Sequence, residues 1–135
     1  MSFNDRMGQG VLGSDAANFY DVHLDIADLS ADTSYFIPVA FNSVFRGMVA
    51  SVDGAILTAD AVITPKNSAG TAITNGALTL TQAGSAAGST FRNLNFAAPA
   101  NDRFLTGDKI ELAVTGAGAG GTPRCHVAIL MERLG

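Results

Sequence analysis

The sequence predicts an all-β fold: an antiparallel β-sandwich or a jelly-roll-like barrel of about eight or nine short strands. Two observations support this prediction. Apolar and polar residues alternate in several segments, as they do in strands with one buried face, and turn-forming residues interrupt the chain at short intervals. A length of 135 residues fits a single domain. We therefore divide the chain into an N-terminal arm, residues 1–18, and a β domain, residues 19–135.

The arm is rich in Gly, Asn, Asp and Ser, and its apolar residues follow no period. Two interpretations stay open. The arm is a flexible terminus, as many chain ends are, or it becomes ordered on a partner and uses its apolar residues as anchors. Under the second interpretation the candidate contact residues are Phe3, Met7, Val11 and Leu12.

The strands of the β domain are assigned from alternation and turn residues. Residues 20–26 alternate strictly, Pro38 places its strand at a sheet edge or a strand end, and Gly47 indicates a bulge. The pair Asn75-Gly76 predicts a hairpin between two further strands. In chain order the predicted strands lie in YDVHLDIA, YFIPVAF, VFRGMVASV, DAVITPK, TAIT, ALTLTQ, TFRNLNF, KIELAVTG and RCHVAILMERL.

The segment SVDGAILTADAVITP, residues 51–65, carries two carboxylates, Asp53 and Asp60. It is also the one candidate for a helical turn, although strand propensity and Pro65 favour a loop followed by a strand. A carboxylate pair suits a glycosidase, but the chain has no Trp and only two Tyr for a sugar-stacking platform. We favour a structural role, in which Asp53 is a turn residue before Gly54 and Asp60 caps or anchors a loop by accepting hydrogen bonds from backbone amides.

The other polar residues also predict no catalytic, cofactor or metal site, and so no enzyme. Asp21, His23 and Asp25 share one strand face, but residues two apart on a strand are about 7 Å from each other. We therefore interpret them as a solvated face, and we expect neither histidine to have a partner at ligand or triad spacing. Cys125 lies in an apolar strand and is interpreted as core packing. The glycine-rich run at 116–121 precedes no helix, so it predicts a hairpin tip rather than a phosphate loop.

Charge and hydropathy exclude two classes of partner. The net charge of −4 argues against nonspecific binding to nucleic acid, and no apolar run approaches the ~18 residues of a membrane span. The first ten residues lack the basic and apolar regions of a signal peptide, so we expect a protein made in the cytoplasm. Charged residues make up only 15% of the chain, against about 25% in typical domains. Such a low content of charged residues is typical of surfaces that are covered in an assembly.

Several of these segments together resemble the small decoration, or cement, proteins on the heads of tailed bacteriophages. The resemblance covers roughly residues 20–135. It rests on the strand with Pro38, the segment SVDGAILTADAVITP, the segment ALTLTQAGSAAGS, the segment NDRFLTGDKIEL, and a final strand after a glycine-rich tip.

This resemblance implies a structural virion protein on the capsid exterior, where it stabilises the shell by bridging subunits of the major capsid protein. It also implies a homotrimer, with the arm contributing to the contact with the shell or with a neighbouring copy. Two alternatives stay open: a tail, fibre or host-glycan-binding β module, and a small β-fold hydrolase. The scarcity of Trp and Tyr counts against glycan binding, and the missing nucleophile–base pair counts against a hydrolase.

Overall fold

A computed structural model of the protein describes residues 18–95, 100–115 and 123–134, and in this part of the chain it has nine strands and no helix. The strands form two antiparallel sheets, which confirms the predicted all-β fold in its sandwich form. One sheet contains, in spatial order, β1 (Phe19–Ile26), β9 (Cys125–Arg133), β3 (Ser43–Val52) and β6 (Thr90–Leu94), with β7 (Arg103–Phe104) also paired to β3. The other contains β2 (Thr33–Pro38), β8 (Lys109–Thr115), β4 (Ala61–Lys66) and β5 (Leu78–Leu80).

The inward-facing residues of both sheets form one hydrophobic core. Alternate residues of β4, β8 and β9 are buried, as expected for strands with one face against the other sheet. The largest fully buried side chains are Phe45, Phe104, Ile26, Leu29, Met48, Ile63, Leu80, Ile110, Leu112, Ile129 and Met131. This core fixes which residues of each strand face outwards, and therefore which side chains are available to partners.

Gly47 marks the predicted bulge in β3. The pairing register between β3 and β9 shifts between Phe45 and Gly47, and Gly47 has a φ of 136°, where side-chain-bearing residues are strained. A Cβ atom at this position would also collide with the backbone of Asn93 and Leu94. Only glycine lets β6 approach β3 this closely, so the bulge is confirmed and its physical cause is clear.

The two prolines of the sheets occupy positions where a missing N–H costs little. Pro38 ends β2, which pairs only with β8 and is therefore an edge strand, as predicted. Pro65 lies within β4 rather than ending it, because β4 continues to Lys66. Strand β5 pairs with residues 61–63 of β4 and does not reach Pro65. On that side of β4, the carbonyl of Pro65 accepts a hydrogen bond from the backbone amide of Ile73. In antiparallel sheets both backbone polar groups of a residue point to the same neighbour, so Pro65 removes no ladder hydrogen bond to β8.

The predicted hairpin across Asn75-Gly76 is wrong. Asn75 does have the positive φ of a turn residue, 57°, and the Gly76 amide donates to the carbonyl of Ile73. However, β5 pairs with β4 rather than with residues 71–74, and those residues form only an isolated bridge, between Lys66 and Ala72. Asn75 is a turn residue, but Gly76 lacks the positive φ that the second position of a type I′ hairpin turn requires. A turn also does not require that its two flanks pair with each other.

Candidate functional site

The outer face of β1 and β9 carries a row of polar side chains: Asp21, His23, Asp25 and His126. Strand β1 alternates so that its Asp and His residues point to solvent, and β9 alternates so that His126 does the same. The register pairs Asp25 with His126 directly, and His23 with Ala128. His126 is therefore the diagonal neighbour of His23 on the same face, within reach of its ring. We call these four residues the His–Asp row.

Three close polar contacts join the row from end to end. Asp21 Oδ2 lies 2.8 Å from His23 Nε2, His23 Nδ1 lies 2.9 Å from His126 Nε2, and His126 Nδ1 lies 2.6 Å from Asp25 Oδ1. The expectation that neither histidine has a partner at triad spacing is thus wrong. The first strand was read correctly as an exposed polar face, but its partner His126 is about a hundred residues away in the sequence.

The row also sets the charge of Asp25. The hydrogen bond from His126 lowers the pKa of Asp25 below its usual value, and the positive charges of His126, Arg124 and His23 act in the same direction. Asp25 therefore stays ionised at any pH near neutrality. Among the described residues, no three His, Cys, Asp or Glu side chains are grouped closely enough to hold a metal ion between them.

A shallow depression of about 230 Å³ adjoins one end of the row. Its lining consists of Asp25, Ser51, Val52, Asp53, Arg124, Cys125 and His126. Cys125 is buried, and burial, followed by the charges of Asp25 and Asp53, raises the pKa of Cys125 to about 12. The group is therefore a thiol rather than a nucleophilic thiolate at neutral pH, in agreement with its interpretation as core packing.

Asp53 and Asp60 anchor the loop between β3 and β4, as predicted for Asp60. Asp53 Oδ1 accepts a hydrogen bond of 2.8 Å from the amide of Arg124, just before β9, and Asp60 Oδ1 accepts one of 2.8 Å from the amide of Gln82. The amide side chain of Gln82 in turn donates to the carbonyl of Leu57. We call Asp53, Asp60 and Gln82 the loop corner. Its two carboxylates join the loop between β3 and β4 to the segment that precedes β9 and to the connection that follows β5.

A third feature lies at the end of the sandwich where the arm joins β1. The side chains of Phe41, Leu105 and Leu134 are exposed there, to 40%, 64% and 37%. Asn42 joins the three segments that carry them: its carbonyl accepts from the amide of Leu134, and its side-chain oxygen accepts from the amide of Thr106. We call Phe41, Leu105 and Leu134 the apolar end cluster.

The cluster has a positively charged side chain, Arg133, at its rim and lies close to Asn18, where the arm ends. The guanidinium of Arg133 stacks 4.2 Å from the ring centre of Phe41, and the amide of Arg133 donates to the carbonyl of Asn18. Sequence reasoning missed this cluster because each of its residues is isolated in its own segment. The predicted contact residues Phe3, Met7, Val11 and Leu12, like the glycine-rich tip at 116–121, lie outside the described residues.

No protein-family model matches the chain, and no curated protein is similar to it in sequence. In the described part of the chain there is no helix long and apolar enough to cross a membrane.

Proposed function

We propose that this protein is a structural virion protein that binds the outer surface of a tailed-bacteriophage capsid and bridges subunits of the major capsid protein. The observation that carries the proposal is the apolar end cluster, exposed beside the point where residue 18 begins the described chain. The resemblance of the sequence to head-decoration proteins and the low content of charged residues support it. The β-sandwich is compatible with it.

The cluster has the composition of a small interface. Specific interfaces combine an apolar centre with a polar rim in which Arg is enriched, and here Arg133 covers one side of Phe41. Burying one such side chain completely contributes roughly 1.5–3 kcal/mol, less for these three because each is already partly covered. The cluster alone therefore supports only weak attachment, and the arm has to add contacts of its own.

In the proposed mechanism, the arm and the cluster bind the same region of the shell. Ordering the arm costs about 1–2 kcal/mol per residue in backbone entropy, so only a part that buries Phe3, Met7, Val11 or Leu12 becomes ordered. A protein that binds the assembled shell but not free subunits stabilises the shell by mass action. We propose that it does so as a homotrimer, which matches the local threefold positions of an icosahedral lattice.

The test is binding to shells that lack this protein, measured by co-sedimentation. Deletion of residues 1–17 and the variant Phe41→Ser/Leu105→Ser/Leu134→Ser should each weaken binding at least tenfold, about 1.4 kcal/mol. The matched control is Leu57→Ser/Phe36→Ser, which changes two side chains that are 59% and 58% exposed but lie outside the cluster. It should bind like the unaltered protein.

Two results would contradict the proposal. If the unaltered protein does not sediment with shells, it is not a decoration protein. If the deletion and the cluster variant bind as tightly as the control, then attachment uses another surface. Light scattering of the free protein tests the trimer separately, since a monomer at micromolar concentration would contradict that part alone.

A further inference from the structure

The centre of the His–Asp row brings two ring nitrogens, His23 Nδ1 and His126 Nε2, to 2.9 Å from each other. His23 Nε2 is 2.8 Å from the carboxylate of Asp21, and His126 Nδ1 is 2.6 Å from the carboxylate of Asp25. An ionised carboxylate only accepts hydrogen bonds, and a neutral imidazole has one N–H. In the neutral form of both rings, each N–H is therefore used on a carboxylate, and the two central nitrogens face each other as lone pairs.

Two lone pairs at this distance repel each other unless a cation lies between them. Three hydrogen bonds require three protons, whereas two neutral histidines and two carboxylates supply two. The missing positive charge is either an additional proton or a metal ion. The outer carboxylates distinguish this arrangement from an ordinary pair of surface histidines, because metal-ligating histidines characteristically donate their second N–H to a carboxylate.

We propose that His23 and His126 form a binding site for a divalent transition metal ion such as Zn²⁺, with His23 Nδ1 and His126 Nε2 as its ligands. Asp21 and Asp25 are positioning residues that fix the ring orientation and leave the ligating nitrogens unprotonated. Two nitrogens at 2.0–2.1 Å from a tetrahedral zinc ion lie roughly 3.3 Å apart. The two nitrogens therefore have to separate by about 0.4 Å from the observed 2.9 Å, and both rings have to turn so that their lone pairs converge on an ion beside the line between them. Two half-exposed side chains accommodate this change.

The surroundings of the site favour a dication that prefers nitrogen ligands. Asp21 and Asp25 bring two negative charges to the row, and Arg124 is close enough to Asp25 to offset part of one. Imidazole ligands suit Zn²⁺, Ni²⁺ and Cu²⁺, whereas Ca²⁺ and Mg²⁺ prefer oxygen. Because only two protein ligands converge, water fills the other positions, and binding is weaker than in a closed four-ligand site.

Calorimetric titration of the tag-free protein with ZnCl₂, and separately with MgCl₂, tests this proposal. We expect one Zn²⁺ per chain and no binding of Mg²⁺. His23→Asn and His126→Asn should each weaken Zn²⁺ binding at least tenfold. The double variant contains no histidine, since the chain has only two, and should not bind. Asp60→Asn removes a carboxylate charge outside the row and is the matched control, expected to bind normally.

Two further measurements distinguish the metal from a proton. Protons compete with the metal for both nitrogens, so lowering the pH from 7.5 to 5.5 should weaken Zn²⁺ binding at least tenfold. In nitrogen-detected NMR of the imidazoles, Zn²⁺ should shift His23 Nδ1 and His126 Nε2 and leave the carboxylate-bonded nitrogens protonated. The proposal is overturned if the double variant binds Zn²⁺ as well as the unaltered protein does, or if neither binds it. Both experiments use free protein, so their outcome is independent of attachment to shells.

Discussion

The His–Asp row and the loop corner each contain two aspartates on the surface of the same sandwich, yet their carboxylates have different donors. In the corner, Asp53 and Asp60 accept hydrogen bonds from backbone amides of distant segments. In the row, Asp21 and Asp25 accept from imidazole side chains. A carboxylate that accepts from backbone amides holds two segments of the fold together. A carboxylate that accepts from an imidazole instead fixes the orientation of that ring and leaves the backbone unaffected. The donor, rather than the aspartate, indicates what each residue does.

The largest effect is expected at Asp53. Replacing Asp53 with Ala removes the side-chain acceptor of the Arg124 amide just before the central strand β9. The amide is exposed and water replaces the carboxylate, so the free energy of unfolding should fall by about 0.5–1.5 kcal/mol, the usual net contribution of one hydrogen bond. Urea denaturation followed by circular dichroism measures this. Asp53→Asn keeps an acceptor oxygen and is the control, expected to lose less. An unchanged midpoint for Asp53→Ala would mean that the corner does not hold the fold.

A smaller loss is expected at Asp60, whose partner Gln82 follows the three-residue edge strand β5 rather than preceding the central strand β9. As at Asp53, the amide is exposed and water replaces the carboxylate when Asp60 is changed to Ala. The free energy of unfolding should fall by about 0.5 kcal/mol, the lower end of the net contribution of one hydrogen bond. The same denaturation experiment applies. A loss larger than that of Asp53→Ala would contradict the order assigned here.

Cys125 lies where the row and the corner meet, and its ionisation predicts a loss of stability in alkali. The pKa of Cys125 is raised from 9.0 to about 12 in the folded chain, so the unfolded chain loses this proton first. The stabilisation is complete below pH 9 and is lost as the pH rises towards 12. Between pH 8 and 9.5 the effect is less than about 1 kcal/mol. Comparing this slope with that of Cys125→Ala isolates it, and equal slopes would contradict the burial of the thiol.

The smallest effect is expected in the row. Exposed ion pairs contribute about 0–1 kcal/mol, so His23→Asn/His126→Asn should change the free energy of unfolding by less than about 0.5 kcal/mol in metal-free buffer. Thermal unfolding in the presence of a chelator measures it. If the double variant lowers the free energy of unfolding as much as Asp53→Ala does, then the row holds β1 to β9. The His–Asp row would then stabilise the fold in the same way as the loop corner.

The sequence allowed the fold to be predicted wherever one residue carried a local physical constraint. The alternation in β1 and β8, the bulge at Gly47 and the edge position of Pro38 each depend on neighbours in the chain or on backbone geometry. The hairpin at Asn75 was wrong because pairing depends on which strand lies alongside, and β4 is the partner of β5.

Neither the apolar end cluster nor the full His–Asp row was predictable in this way. The row requires the register of β1 against β9, in which Asp25 faces His126. The cluster requires that three connections meet around Asn42. Hydrophobic periodicity specifies which face of a strand is buried, but it does not specify which strands become neighbours. That Asp60 accepts from a backbone amide was predictable because Asp in a loop commonly does so. The partners of Asp60 and Asp53, 22 and 71 residues away in the sequence, were not.

We propose that this protein attaches to the exterior of a capsid through the arm and the apolar end cluster. Cryo-electron microscopy of shells with and without added protein tests this attachment. We expect extra density on the outer surface at local threefold positions, with the end carrying Phe41, Leu105 and Leu134 turned towards the shell. Extra density at the tail, or no extra density at saturating protein, would contradict it.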